Sequence, residues 1–477
     1  MSHGGEVGGS SEPPLTDNSA EKSHWSACTR TACAAFGFAL SALVFYPGLF
    51  TPDSLEQFSQ AQSGDFGDWH PPAMAALWRV FEGVHDGPEL LFFFHLALFW
   101  GGVWAIAAAL VQRGLRWGAL FPLIGLLPFV FNYLGLLWKD VALAAAWIFA
   151  AGIAFRRLAR GEKLKPVEHA VIWLAFLYGA LVRANTIFAA APFALYLLSG
   201  DVFSRKLWPQ LAALVLAPAL ILAATGLVNH TLLQADAEHP EDSLFLFDLV
   251  GISHQTGSNV VPGPWTQAQA AQIPSCYGPD KWDRIGLTCP FVTDTLDDRH
   301  IWGAPLVRDA WIHAILAHPI AYVAHRLAYA NQLLRWSGPI PVNDSFMESE
   351  QTDARWRHHE GPIFHAYQKL SNTLAMTPVF RPYFWLLLSL CTLAASWFAA
   401  DSPQRRFASA LSASAAIYVL TYIPFGVASD FRYSYWSIIA TLAAIAALAA
   451  CELRHARRIL TISGGVIAAA IAISALS

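Results

Sequence analysis

Residues 46–79 read YPGLFTPDSLEQFSQAQSGDFGDWHPPAMAALWR and hold acids, glutamines and a histidine between two long apolar runs. Asp53 is the first candidate for chemistry. At the start of a helix a carboxylate stays ionised, because the helix N-terminus carries partial positive charge. An ionised carboxylate can accept a proton from an attacking hydroxyl. His70, followed by Pro71 and Pro72, can contact a phosphate or cap a second helix. Asp65 and Asp68 lie in SGDFGDW and read as solvated turn residues.

Charges recur at the ends of other apolar runs. Lys139-Asp140 stands in LLWKDVAL, Arg183 and Asn185 in LVRANT, and Asp430, Arg432 and Tyr433 in SDFRYSYW, with Arg381 before a later run. Any one of these cations could be an interfacial anchor whose stem snorkels to water. As a group they suggest a site, since charges at membrane depth usually face a bundle interior. Cations converging from separate loops would bind an anion at the membrane surface. A lipid phosphate fits, because its apolar tail can lie in a groove between helices.

The elements that must position these residues follow from local pattern. Thr51-Pro52-Asp53-Ser54-Leu55-Glu56 opens a short helix, either with Pro52 in its first turn or with Asp53 as N-cap and Glu56 closing a capping box. Leu55, Phe58 and Ala61 or Gln62 form one stripe, and Asp53, Gln57 and Gln60 another. That pattern predicts an amphipathic helix along the membrane surface. A second helix is predicted after Pro72, running through Trp78 and Arg79.

Hydrophobic residues make up 55% of the 477 and charged ones 13%, about half the share of a soluble domain. The chain therefore reads as a polytopic α-helical membrane protein. Its 19 tryptophans and 13 tyrosines suit two membrane–water interfaces. A net charge of −4 gives no reason to expect nucleic acid.

Eleven apolar runs are candidate spans: 27–47, 88–111, 117–137, 141–155, 167–183, 186–199, 207–229, 383–400, 407–425, 436–451 and 458–476. The first reads as a signal anchor after a Gly/Ser/Pro-rich tail, 1–26, expected to be disordered and cytoplasmic. Sixteen Lys and Arg fall in the connections on one side, against four, Arg79, Lys139, Arg183 and Arg432, in the short ones on the other. The positive-inside rule then places the N-terminus in the cytoplasm and 48–87 and 230–377 outside. The organisation expected is an N-terminal transmembrane module, 27–229, containing the catalytic first outer loop, then a periplasmic domain, 230–377, then C-terminal spans, 378–477. A long helix from about Leu306 to Trp336 should lie against the membrane or other periplasmic helices. His95, inside a span, reads as a hydrogen-bonded core residue.

Cys276 and Cys289 fall in the largest polar region, in SCYGPDKWDRIGLTC, where a disulfide is expected if that region is extracytoplasmic. No further Cys or close His pair accompanies them, which argues against zinc. Arg357-His358-His359-Glu360 with His365 matches no standard zinc spacing. No Walker loop or dinucleotide fingerprint is present.

Taken together, TPDS with Asp53 after the first span, the HPP element at His70–Pro72 and FRYSYW with Arg432 and Tyr433 resemble the GT-C superfamily of membrane glycosyltransferases. The likeness is to the branch of bacterial protein O-mannosyltransferases and lipid A aminoarabinose transferases, and its architecture covers nearly the whole chain. Family members commonly carry an acidic pair where this chain has Asp53-Ser54. With one acid there, no cofactor is expected, a divalent metal included.

The resemblance implies an inverting transfer of sugar from a polyprenyl-phosphate donor to an envelope glycan, lipid or protein, at the outer face of the bacterial inner membrane. Asp53 would be the base. Lys139, Arg183, Arg432 and His70 would hold the donor phosphate, with Asp140, Gln57 and Tyr433 in support. A leaving phosphate needs no proton, so one carboxylate suffices, unlike the pair in glycoside hydrolysis. The competing functions are a transporter or lipid flippase, another envelope transferase such as a ligase or acyltransferase, and a non-catalytic scaffold. Transporters place their sites near the midplane, often between repeated halves; here polar residues gather at one face and no repeat is evident.

Overall fold

The computed structural model describes residues 17–202, 207–337, 346–451 and 456–476. Every regular element among them is a helix. Six helical segments are long and apolar enough to cross a membrane: Trp25–Phe45, Glu89–Gln112, Lys139–Leu158, Leu214–Leu232, Pro403–Phe425 and Phe431–Leu448. A bent pair, Arg116–Leu126 and Pro128–Leu134, would make a seventh, and four shorter apolar helices accompany them. Helices suit this role because each backbone polar group is satisfied within its own segment, which hydrocarbon demands.

The straight span expected over 117–137 is instead broken by 60°. Pro128 opens the second helix, and a proline pushes the residue before it into extended geometry. Leu127 accordingly has φ −66° and ψ 135°. The tail expected to be disordered lies outside the described residues up to 16. From Asp17 the chain is already helical, since Ala20, Glu21 and Lys22 are good helix formers and extend the apolar helix that follows.

Helix Lys139–Leu158 runs through the centre of the bundle, buried along almost its entire length. It meets Glu89–Gln112 through glycine: a Cβ at Gly152 would stand 2.5 Å from the Gly102 carbonyl oxygen. Small residues let membrane helices approach this closely. Trp147 fills the space beyond, stacked on Phe176 at 5.6 Å. His95 is buried, with Nε2 2.8 Å from the Tyr178 hydroxyl.

Residues 241–334 form a helical unit with its own apolar core around Leu246, Leu249, Ile252, Val292 and Leu296. The Cys276–Cys289 disulfide is formed, with a Cα–Cα distance of 5.7 Å. The single helix expected from Leu306 to Trp336 is two, Pro305–Ala317 and Pro319–Leu334, because Pro319 cannot continue the preceding helix. The unit is fastened to the bundle by backbone: Trp282 N donates to Val427 O at 2.8 Å, Arg326 Nη1 to Gly426 O at 2.7 Å and the Tyr329 hydroxyl to Ala428 O at 2.8 Å. These bonds hold the stretch leading into Asp430 and Arg432. Within the unit Asp248 is fully buried and joins Arg326 (2.7 Å), His325 (2.9 Å) and Trp311 (2.7 Å), so the clamp on Gly426 has a rigid base.

Candidate functional site

The first short helix is Pro52–Ser63, with Thr51 as N-cap and Pro52 in the first turn. Thr51 N donates to Ser54 Oγ at 2.7 Å; of the two starts the sequence left open, the one with Pro52 in the first turn forms and the Asp53–Glu56 capping box does not. Pro52 has no N–H to offer and occupies the first turn, which moves the cap back to Thr51. Trp138 Nε1 donates to Thr51 Oγ1 at 2.6 Å and fixes the helix start against the bundle. Arg79, on helix Ala73–Glu82, donates to the Ala61 and Gln62 carbonyls at 3.0 and 3.1 Å and closes the other end. The stripe of Gln57 and Gln60 is not the one that faces water. Gln57 and Gln60 are buried along with Phe58 and Ala61, and Ser59, Gln62 and Ser63 form the exposed side.

The Asp53 carboxylate, freed from capping, receives Arg432 Nη1 at 2.7 Å. Arg432 Nε donates to Asp430 Oδ2 at 3.0 Å, and the guanidinium lies 4.6 Å above the Trp138 ring. Burial alone would raise the Asp53 pKa; Arg432, Lys139 and His70 outweigh it and hold the carboxyl well below the usual range. It is therefore ionised and, while paired, a weak base.

His70 is buried beside it, with Nε2 3.9 Å from Asp53 Oδ1 and 3.8 Å from Glu56 Oε2. Lys139 Nζ is hydrogen-bonded to His70 Nδ1. Lysine can only donate, so the imidazole accepts at Nδ1 and keeps its proton on Nε2, facing the carboxylates. Burial, then Lys139, pushes the His70 pKa down to about 3, which leaves the ring neutral. Glu56 moves the other way, raised by burial and by Glu238.

A pocket of about 290 Å³ opens here, walled by Asp53, Asp430, Arg432, Trp138 and Lys281 among others. Arg432 stands in its wall, whereas Lys139 lies behind, against His70. Arg183 belongs to an adjoining buried cluster. Its Nε is 3.2 Å from Asp140 Oδ1, and Nη2 donates to the Tyr422 hydroxyl at 3.0 Å. Tyr418 donates to Asp140 Oδ1 at 3.3 Å. The Tyr433 ring joins the two clusters, 4.7 Å from the Arg183 guanidinium and 5.5 Å from that of Arg432. Arg183 is thus already balanced by Asp140, and Arg432 is the expected cation best placed to meet a ligand. Gln57 reaches the Asp53 carbonyl only weakly, at 3.5 Å. Its Oε1 and Asp140 Oδ2 are buried without a hydrogen-bond partner.

Elsewhere, Asp65 is exposed, while Asp68 is pinned: its carboxylate accepts from Glu238 N at 2.7 Å. His358 is buried, with Nε2 2.8 Å from the Val44 carbonyl oxygen, and His365 pairs with Glu360 at 3.6 Å. Arg381 donates to Arg335 O and Ser474 Oγ at 3.1 and 2.7 Å and ties chain segments together.

The sequence reading passed over Tyr418, Tyr422, Trp138 and Lys281. The two tyrosines had a signal, four residues apart on one face of a span, which brings their hydroxyls to 3.2 Å. Trp138 and Lys281 had none, since only the fold brings residue 281 to residue 53. Comparison with family models, with curated proteins and with solved structures returns no match.

Proposed function

We propose that this chain is an inverting membrane glycosyltransferase of the GT-C kind, which moves a sugar from a polyprenyl-phosphate donor to a hydroxyl acceptor. The observation that carries the reading is the Asp53–Arg432 pair in the wall of a pocket, backed by Lys139 and neutral His70. An anionic lipid headgroup would find a cation there, and an attacking hydroxyl would find a carboxylate beside it.

In the reaction the acceptor oxygen bonds to the anomeric carbon as the bond to the phosphate oxygen breaks. The electron pair leaves with the phosphate, and the hydroxyl proton passes to Asp53. The depressed basicity of Asp53 becomes useful at this point. A phosphate that engages Arg432 draws the guanidinium's charge away from Asp53, so donor binding turns a weak base into a stronger one. The departing phosphate is stabilised by the same cation.

Membrane placement belongs to the same proposal. The long helices, the bent pair and the shorter apolar helices correspond to eleven spans, with the N-terminus in the cytoplasm of a bacterial cell and the site at the periplasmic face. The Cys276–Cys289 disulfide supports an oxidising compartment for the 241–334 unit.

The test is purified protein in nanodiscs with undecaprenyl-phosphate-linked radiolabelled sugars and envelope extracts as acceptors. New glycosidic bonds should form with wild type and be lost with Asp53→Asn. Movement of intact labelled lipid between leaflets, with no covalent transfer, would replace this reading by a flippase.

A further inference from the structure

Trp69, Trp282 and Trp302 come from three separate segments and meet in one cluster. Ring centroids are 5.6 Å apart for Trp69–Trp282, 6.2 Å for Trp69–Trp302 and 6.0 Å for Trp282–Trp302. Core tryptophans of this protein, such as Trp78, Trp147 and Trp436, are fully buried. These three stay partly exposed. Each is anchored by a hydrogen bond. Trp69 N donates to Glu238 Oε2 at 2.8 Å, Trp282 N to Val427 O at 2.8 Å and Trp302 Nε1 to Glu238 O at 3.0 Å.

The cluster adjoins the pocket at two points. Lys281, next to Trp282, lines it, and Trp69 precedes His70, whose Nε2 is 3.9 Å from Asp53. The Glu238 carboxylate lies against the cluster, accepting from Trp69 N; Glu56 stands 3.8 Å from the neighbouring His70, and Asp283 follows Trp282 in the chain. We infer that this cluster is a binding platform for a neutral sugar, the acceptor in the reaction proposed above.

The chemistry favours that class over others. The C–H face of a pyranose packs on an indole, and its hydroxyls are donors that carboxylates accept. An anionic acceptor would meet the Glu238 carboxylate at Trp69. An ammonium ligand is held most strongly where several ring faces enclose it, whereas these rings pack against one another at interplanar angles of 31–50°.

The inference rests on the glycosyltransferase reading for the word acceptor, but its test reads binding alone. Maltose, cellobiose, mannobiose and chitobiose are titrated onto the full chain in nanodiscs by calorimetry, with choline as the cationic comparison. At least one disaccharide should bind saturably, with saturation transfer from indole protons to sugar ring protons in the wild-type protein. Trp282→Ala or Trp69→Ala should weaken it about fivefold or more, on the order of one lost aromatic contact. Trp282→Phe should recover most of the affinity, and Trp117→Ala should change nothing. If none of the four sugars binds, or choline alone does, the platform is refuted. Sugar binding without covalent transfer would leave the platform standing and remove the glycosyltransferase reading. Transfer with an unchanged acceptor KM in Trp282→Ala would do the reverse.

Discussion

Arg432 is shared by two carboxylates, Asp53 at 2.7 Å and Asp430 at 3.0 Å, and this asymmetry makes a quantitative prediction. In Arg432→Gln the largely buried Asp53 carboxylate loses its hydrogen-bonded charge partner and keeps only the more distant Lys139. Breaking a buried pair from one side costs about 3–5 kcal/mol. In Asp53→Asn the arginine keeps Asp430, and an amide oxygen can still accept its N–H. The cost should then be about 1–2 kcal/mol, near that of one hydrogen bond to a charged group. The double variant should fall short of the sum by about 1–3 kcal/mol, the coupling usual for residues in contact. The sign with pH follows from the depressed carboxyl pKa. The pair's contribution is complete above the unfolded carboxyl range and is lost as pH falls below about 4 toward the folded value. Unfolding in nanodiscs across pH reads all of this. If Asp53→Asn costs as much as Arg432→Gln, or if the two effects add without coupling, the pair does not govern the site.

Three further outcomes follow. His70 is held neutral down to about pH 3, so the unfolded chain takes up one more proton below its ordinary pKa near 6.5. Stability should fall by about 1.4 kcal/mol per pH unit between pH 6 and 4, and His70→Gln should remove that slope. Gly152→Ala should destabilise by about 1–3 kcal/mol, because the added Cβ meets the Gly102 carbonyl oxygen. Gly161→Ala, with a positive φ of 68° and open space around it, should cost less than this, about 1 kcal/mol, in the same unfolding assay. Reducing the Cys276–Cys289 disulfide should destabilise by about 3 kcal/mol and speed amide exchange at Trp282, whose N–H bonds to Val427.

Much of this architecture was legible in one dimension, for physical reasons. Twenty-residue apolar runs have few fates other than helices in hydrocarbon, and Pro52, the Pro71-Pro72 pair and the polar loop between the first two runs announce two short helices. Cys276 and Cys289 stood apart from the four cysteines in apolar stretches. Where the reading failed, either a tertiary contact or an overlooked proline decided. Of the two helix starts left open at 52–53, the one with Pro52 in the first turn formed, with Thr51 as cap. The helix of Gln57 and Gln60 was expected along the membrane surface, and packing buries both glutamines. The run at 117–137 looked continuous until Pro128 broke it.

The deepest division lies in the site. Sequence by itself determined which charges sit at the ends of apolar runs, because the cost of placing an ion in hydrocarbon acts on each residue where it stands. It could not determine their partners. Arg432 with Asp53, Arg183 with Asp140, and Lys139 with His70 are pairings across 379, 43 and 69 residues. Coulomb attraction depends on distance in space, and only the packed helices and the clamp on residues 426–428 decide that distance.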